Sequence, residues 1–209
     1  VGLSIFLTAL FFYMKLKNID VGNHLRYFLI PTLKLLSRKV RKSHKIDLDI
    51  NLSVPVDEQY KTDEQVDNAP ADIRFRKVTN NYYELPWLKA KVPLADGSLL
   101  IWENDDLVRE RKVIKKRKGK RKTKFKIKHQ VKVKLMLPKS RYQLTDERND
   151  AIVVEDASKF LVLGLKGKDQ SAHNPQIQGD EFKSMNPKYF TRLLIEAYSQ
   201  VQPINPSTT

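Results

Sequence analysis

Between Lys124 and Leu137 the chain alternates without a break. Phe125, Ile127, His129, Val131, Val133, Leu135 and Leu137 fall on one side, and Lys124, Lys126, Lys128, Gln130, Lys132 and Lys134 on the other. Side chains of a strand point to opposite faces with period two, so the run reads as one long strand with an apolar face and a lysine face. It is the return arm of a hairpin over residues 107–137 that turns near Gly119. The outgoing arm alternates poorly: Val113 and Ile114 are adjacent, with Arg109, Arg111 and Lys112 crowding them. Register near the tip is therefore expected to be weakly specified. The base of the hairpin should join a sheet, while the tip, Lys115 to Lys122, is too charged to pack and should project.

Charge makes this hairpin the dominant electrostatic feature. From Arg109 to Lys134 there are fifteen Lys and Arg against one acid, Glu110, a net +14 in a chain whose total is +15. Residues 1–45 add nine basic residues and one acid, or +8. Those two zones exceed the total by 7, so everything else sums to −7. A mildly acidic body with two cationic zones draws polyanions, whether nucleic acid or anionic lipid headgroups. Lysines on an exposed strand also protect sheet edges from aggregation, which is the plainer explanation for a few of them. The candidate anion-binding set is Lys115, Lys116, Arg117, Lys118, Lys120, Arg121, Lys122, Lys124, Lys126 and Lys128.

The first fourteen residues, VGLSIFLTALFFYM, carry no charge. A spanning helix needs about 20 apolar residues, and this chain begins at Val1, so residues 1–16 read as the C-terminal part of a transmembrane helix. Residues 17–44 follow as a basic amphipathic juxtamembrane segment. Leu25, Leu29, Leu33, Leu36 and Val40 recur at helical spacing among Arg26, Lys34, Arg38, Arg41 and Lys42, and Pro31 kinks or restarts the helix. Such a helix suits the headgroup region or a stripe packed on the following domain. Basic residues after the apolar run place that domain on the cytoplasmic side of a membrane.

From Lys45 the period changes to two, which opens a β-rich domain over residues 45–202 expected to fold without what precedes it. Ile46, Leu48, Ile50, Leu52 and Val54 suggest a strand with one buried face. Residues 55–82 are polar and acidic without sustained period and read as a long loop, whose acids are placed to lie across the basic hairpin. Ala95-Asp96-Gly97 between apolar runs signals a tight hairpin of type I′. Ala151–Val154 and Phe160–Leu165 are two further short strands, followed by a loop from Gly164 to Gly179. Asn186-Pro187 opens a helix with Tyr189, Phe190, Leu193, Leu194 and Ala197 as its buried stripe. Residues 203–209 form a frayed tail.

Nothing in the sequence carries an enzyme signature. There is no phosphate-binding glycine loop, nucleophile elbow or zinc-protease helix motif. His24, His44, His129 and His173 are far apart, and none has metal-ligand spacing. His129 lies on the apolar face and reads as a hydrogen-bonded core histidine. Asp47 and Asp49 share one strand face, most simply a solvated one, and Asp105-Asp106 and Glu155-Asp156 read as turn acids. The absence of cysteine excludes a disulfide framework and thiolate metal sites. No cofactor, metal or small-molecule substrate is indicated.

The expected fold is mainly β, an antiparallel meander or sandwich with a long basic hairpin and a C-terminal helix. The expected function is a non-catalytic, membrane-anchored module that binds an anionic partner, foremost anionic lipid headgroups. Two alternatives are a structural subunit of a membrane or envelope assembly docking an acidic protein, and a sequence-independent nucleic-acid-binding protein.

Overall fold

A computed structural model describes residues 24–40, 44–68, 74–117, 119–145, 149, 152–169 and 184–204. The protein is mainly β, with 57% of it in strands, and its sheets are antiparallel. Among the described residues no helix is long and apolar enough to cross a membrane, and the apolar run of residues 1–16 lies outside them.

Three long strands form the body. β3 (Phe75–Pro93), β4 (Leu99–Lys115) and β5 (Arg121–Pro138) make a meander, preceded by β1 (Asp47–Ile50) and β2 (Lys61–Asp67). β6 (Tyr142–Leu144), β7 (Val153–Asp156) and β8 (Phe160–Asp169) follow. The seven-stranded sheet has the order β1-β3-β4-β5-β8-β7, and β2 also pairs with β3. A second small sheet joins β6 to β9 (Val201–Pro203). Two helices cover one face: α1 (Ile30–Leu36), which continues a π-helical turn over Leu25–Leu29, and α2 (Pro187–Tyr198).

The covered face is the apolar face read from the sequence. Ile127, His129, Val131, Val133, Leu135 and Leu137 are all buried, opposite Val108, Asp106, Asn104, Trp102 and Leu100 of β4. Phe28 from the π-helical turn fits between Trp87, Trp102 and Phe190, at ring separations of 5.9, 5.6 and 6.3 Å. Phe28 and Leu36 belong to the same hydrophobic cluster as the strands, so this N-terminal segment is built into the core and not set apart from it. Pro31 stands where the backbone passes from π to α geometry, so the hydrogen bond that its missing N–H forgoes falls at the junction of the two. α2 begins as expected: Asn186 Oδ1 accepts from Lys188 N at 3.0 Å, and Phe190, Leu193 and Ala197 are buried. Gly167 of β8 permits this docking, because a Cβ there would collide with Tyr189 and lie 3.2 Å from Leu193 Cδ1.

Several expectations need correction. The segment 55–82 is not one loop, since β2 and the first part of β3 lie within it and pair from Lys61↔Tyr83 to Asp67↔Val78. β2 is polar on both sides, so no apolar period announces it; the backbone ladder with β3 defines it. Its acids lie beside β3, with β3 and β4 between them and β5, and Glu64 pairs with Lys61 at 2.5 Å. Leu48, Leu52 and Val54 are exposed, because β1 is a four-residue edge strand that leaves the sheet at Asn51. The Asp96-Gly97 hairpin forms with a three-residue loop: Leu94 N donates to Ser98 O at 2.8 Å, and Gly97 takes a φ of +85°. β8 runs through Gly164 and Gly167 to Asp169, five residues past the expected start of a loop.

The outgoing arm of the basic hairpin keeps its register. β4 pairs with β5 without a shift from Leu99↔Met136 to Ile114↔Arg121. β3 flanks β4 as far as Phe75↔Lys115, and Lys116 N donates to Arg74 O at 3.1 Å. Support on both sides replaces the missing alternation, and Val78 and Val113 bury each other near the tip. The turn itself is short, and Gly119 occupies its left-handed corner at φ +59°.

Candidate functional site: a cationic sheet end above a buried carboxylate

The uncovered face carries the charge. On successive rungs of β3, β4 and β5 stand Glu84, Leu107 and Lys128; Tyr82, Arg109 and Lys126; Asn80, Arg111 and Lys124; and Val78, Val113 and Lys122. Lys122, Lys124, Lys126 and Lys128 alternate along an edge of β5 as far as the described residues go, where β8 pairs with β5 from His129 to Pro138. Lys115, Lys116, Arg117, Lys120 and Arg121 sit around the turn, and Lys118 lies outside the described residues.

Charge on this face is partly neutralised away from the tip, where Lys91, Lys166 and Lys168 nevertheless have no ion pair among the described residues. Away from the tip, Lys89 pairs with Glu103 at 3.1 Å, Lys132 with Asp105 at 2.6 Å and Lys134 with Glu155 at 3.7 Å. Asp105 also accepts from Gln130 Nε2 at 2.9 Å, and this carboxylate raises the Lys132 ammonium pKa above its usual value. Toward the tip, Arg109, Lys122, Lys124, Lys126 and Lys128 make no ion pair with any carboxylate among the described residues. Arg111 lies over the Phe75 ring, its guanidinium carbon 5.8 Å from the ring centre. Of the acids at this end, Glu84 shares the rung of Lys128, Asp63 and Asp67 of β2 stand on the rungs of Arg109 and Val113, and Glu110 faces the other way. It accepts from Asn81 at 2.8 Å and Tyr83 at 3.1 Å and pairs with Lys112 at 2.9 Å. Burial raises its pKa, but these partners outweigh burial and hold it below the ordinary carboxylate range.

Grooves run along the same face. One of about 390 Å³ is floored by Leu107 and rimmed by Tyr82, Arg109, Lys126 and Lys128. A larger one, about 840 Å³, lies between residues 49–62 and the sheet, where Tyr60 and Asn51 face Glu84, Glu103, Asp105, Lys89 and Lys132. Its carboxylates at positions 103 and 105 are already paired with lysines, and Asp47 and Asp49 on β1 are exposed.

On the covered face, directly behind the lysines, is a buried charge cluster that the sequence did not announce. Asp106 is fully buried in the middle of β4, and its neighbour Asp105 is buried toward the opposite face, so neither is a turn acid. His129 is a core histidine as expected, with Nδ1 2.7 Å from Asp106 Oδ1. His24 brings Nε2 to 2.9 Å from Asp106 Oδ2 and stacks on Trp87 at 4.7 Å. Burial works to raise the Asp106 pKa, but the imidazoles of His129 and His24 reverse that effect and bring it down to about 2. A buried carboxylate thus stays ionised, which demands partners on both oxygens. The available signal was a negative one: Asn104-Asp105-Asp106 has no Gly or Pro beside it to make a turn. His24 left none, being far from Asp106 in sequence.

No family model, curated protein or solved structure matches this chain.

Proposed function

We propose that the protein is a non-catalytic module that applies the cationic end of its sheet to an anionic membrane surface. The observation that carries this reading is the segregation of charge along one face. Over the body Lys89, Lys132 and Lys134 meet acids, whereas Lys122, Lys124, Lys126, Lys128 and Arg109 toward the tip make no ion pair among the described residues, nor do Lys91, Lys166 and Lys168 on the same face. A cluster of like charges destabilises the folded state through self-repulsion unless something outside it supplies the counter-charge. Each cation brought to an anionic leaflet contributes about 1 kcal/mol, so half of the set is sufficient for firm attachment.

Chain direction favours lipid over the other polyanions. His24 sits on the rung of Asp106 and His129, and from there the helical segment runs away from the hairpin tip to Val40, which bridges Leu94 at the opposite end. The chain therefore enters the fold heading away from the cationic end. An N-terminal segment held in a bilayer is then compatible with a tip that meets the same bilayer. Attachment of an acidic protein or of nucleic acid uses the same cations and does not depend on this entry point.

Sedimentation with vesicles tests the reading. Full-length protein should pellet with vesicles containing phosphatidylserine and not with purely zwitterionic ones. Replacing Lys122, Lys124, Lys126 and Lys128 with Gln should cut the bound fraction severalfold. Equal pelleting of wild type and variant with anionic vesicles would refute the lipid role. Capture by RNA or an acidic peptide with no vesicle binding would transfer the cations to one of those partners.

A further inference from the structure

The structure assigns a divalent transition-metal site, with Zn²⁺ as the first occupant, to His24, Asp106 and His129. The donor set is two imidazoles and one carboxylate, whose ligand atoms all lie within 4.8 Å of one another. Imidazole nitrogen suits Zn²⁺ and its first-row neighbours, and two histidines with one carboxylate are a recurrent three-ligand set that leaves a position open.

Geometry separates this cluster from an ordinary hydrogen-bonded one. His129 Nδ1 and Asp106 Oδ1 make a sound hydrogen bond at 2.7 Å. His24 Nε2 and Asp106 Oδ2 approach to 2.9 Å, yet neither atom has an aligned hydrogen-bond partner among the described residues. Two buried acceptor-type atoms that close in without an aligned hydrogen bond are arranged to point at a third body. Zn–N and Zn–O distances of about 2.0–2.2 Å in a tetrahedron put ligand atoms roughly 3.3–3.5 Å apart, so small rotations of the two rings complete the site.

Stacking restrains the ligands, although His24 Nδ1 has no hydrogen-bond partner among the described residues. Trp87 stacks on His24 with an interplanar angle of 22°, which limits rotation of that ring, and the His24 and His129 rings meet edge to face at 5.4 Å. Asp106 and His129 are inaccessible and both ring nitrogens of His24 are buried, so the site is closed, with only the outer part of the His24 side chain, 19% exposed, near solvent. Asp106 and His129 belong to the sheet and His24 to the segment that leads into α1. Metal binding would therefore clamp the N-terminal segment to the sheet directly behind the cationic face, a role that holds whatever anion that face meets.

The test uses tag-free, full-length protein loaded with Zn²⁺, desalted and analysed by elemental mass spectrometry, with thermal melting in parallel. About one Zn²⁺ per chain should be retained, with a raised melting temperature. His24→Gln should lower affinity roughly tenfold or more and abolish the thermal shift, since even outer-shell changes cost that much. His44→Gln, outside the cluster, should behave as wild type. Asp106→Asn removes a buried charge that the core is built around and so confounds binding with folding; the partly exposed His24 therefore decides the matter, with circular dichroism confirming that its variant is folded. A wild-type chain that retains no Zn²⁺, or a His24→Gln chain that retains as much as wild type, would overturn the assignment.

Discussion

The phenol of Tyr198 donates a hydrogen bond to Asp96 Oδ2 at 3.0 Å, joining the end of α2 to the β3–β4 turn across 102 residues of chain. Tyr142 donates to the same oxygen at 2.8 Å, and the backbone N–H of Ser98 donates to Oδ1 at 2.9 Å. One carboxylate thus gathers a turn, the small sheet and the C-terminal helix. Removing the Tyr198 hydroxyl by Tyr198→Phe should cost about 1.5 kcal/mol in urea unfolding, the scale for a hydrogen bond to a charged group.

That cost should form a plateau in pH. Burial raises the Asp96 pKa, but Ser98, Tyr142 and Tyr198 outweigh it and leave the folded value below 3.8. A depressed carboxylate pKa contributes stability above its unfolded value, and this is lost as pH falls through the folded one. Burial and the Asp96 charge push the Tyr142 hydroxyl from 10.0 up to about 12, and the Tyr198 hydroxyl is raised as well. Raised tyrosines contribute fully below pH 10 and lose that contribution as pH rises toward the folded value. The difference between wild type and the Tyr142→Phe, Tyr198→Phe variant should therefore be flat in mid-range and shrink at both ends. A difference that does not change with pH would show that the carboxylate–phenol bonds are not its source.

Phe28 should be indispensable, although it precedes the region where alternation begins. It is fully buried between Trp87, Trp102 and Phe190, so Phe28→Ala should cost about 3 to 5 kcal/mol. A fragment over residues 46–209 should melt well below the full chain, because loss of Phe28, Leu29 and Leu36 uncovers the aromatic cluster. Equal melting temperatures for fragment and full chain would show that the helical layer adds nothing.

The tip should matter for binding and not for folding. Changing Lys115, Lys116, Arg117, Lys120, Arg121 and Lys122 to Gln should leave the melting temperature within a degree or two of wild type, or raise it slightly. Exposed charges contribute little to stability, and relief of their repulsion offsets what is lost. A large fall would mean that these side chains hold the end of the sheet together.

The orientation on a bilayer can be read with two labels in a chain that has no cysteine. Lys120→Cys places a fluorophore at the tip and avoids Gly119, whose φ of +59° disfavours a side chain. Leu35→Cys places one on α1, where Ile30 and Leu35 are exposed, as is Tyr27 in the π-helical turn before it. Headgroup quenchers should reach the label at position 120 and spare the one at position 35. The reverse pattern would mean that the exposed apolar side of α1 lies on the membrane with the cationic face turned away.

Local pattern by itself determined the long strand from Phe125 to Leu137, the face it buries, the turn at Gly97 and the helix that begins at Asn186-Pro187. Each of these is encoded within a few residues, by period two or by the demands of a cap or a turn on backbone geometry. Only tertiary structure decided that polar Lys61–Asp67 is a strand, because its stability comes from the ladder offered by β3 and not from an apolar face. Tertiary structure likewise turned Asp105 and Asp106 from apparent turn acids into buried charges that serve opposite faces of one strand. Ionised carboxylates are tolerated there because Lys132 and Gln130 approach one from β5, and His129 and the distant His24 approach the other. Partners so far apart in the chain leave no local trace, since their contact energy exists only after the sheet and its helical cover have come together.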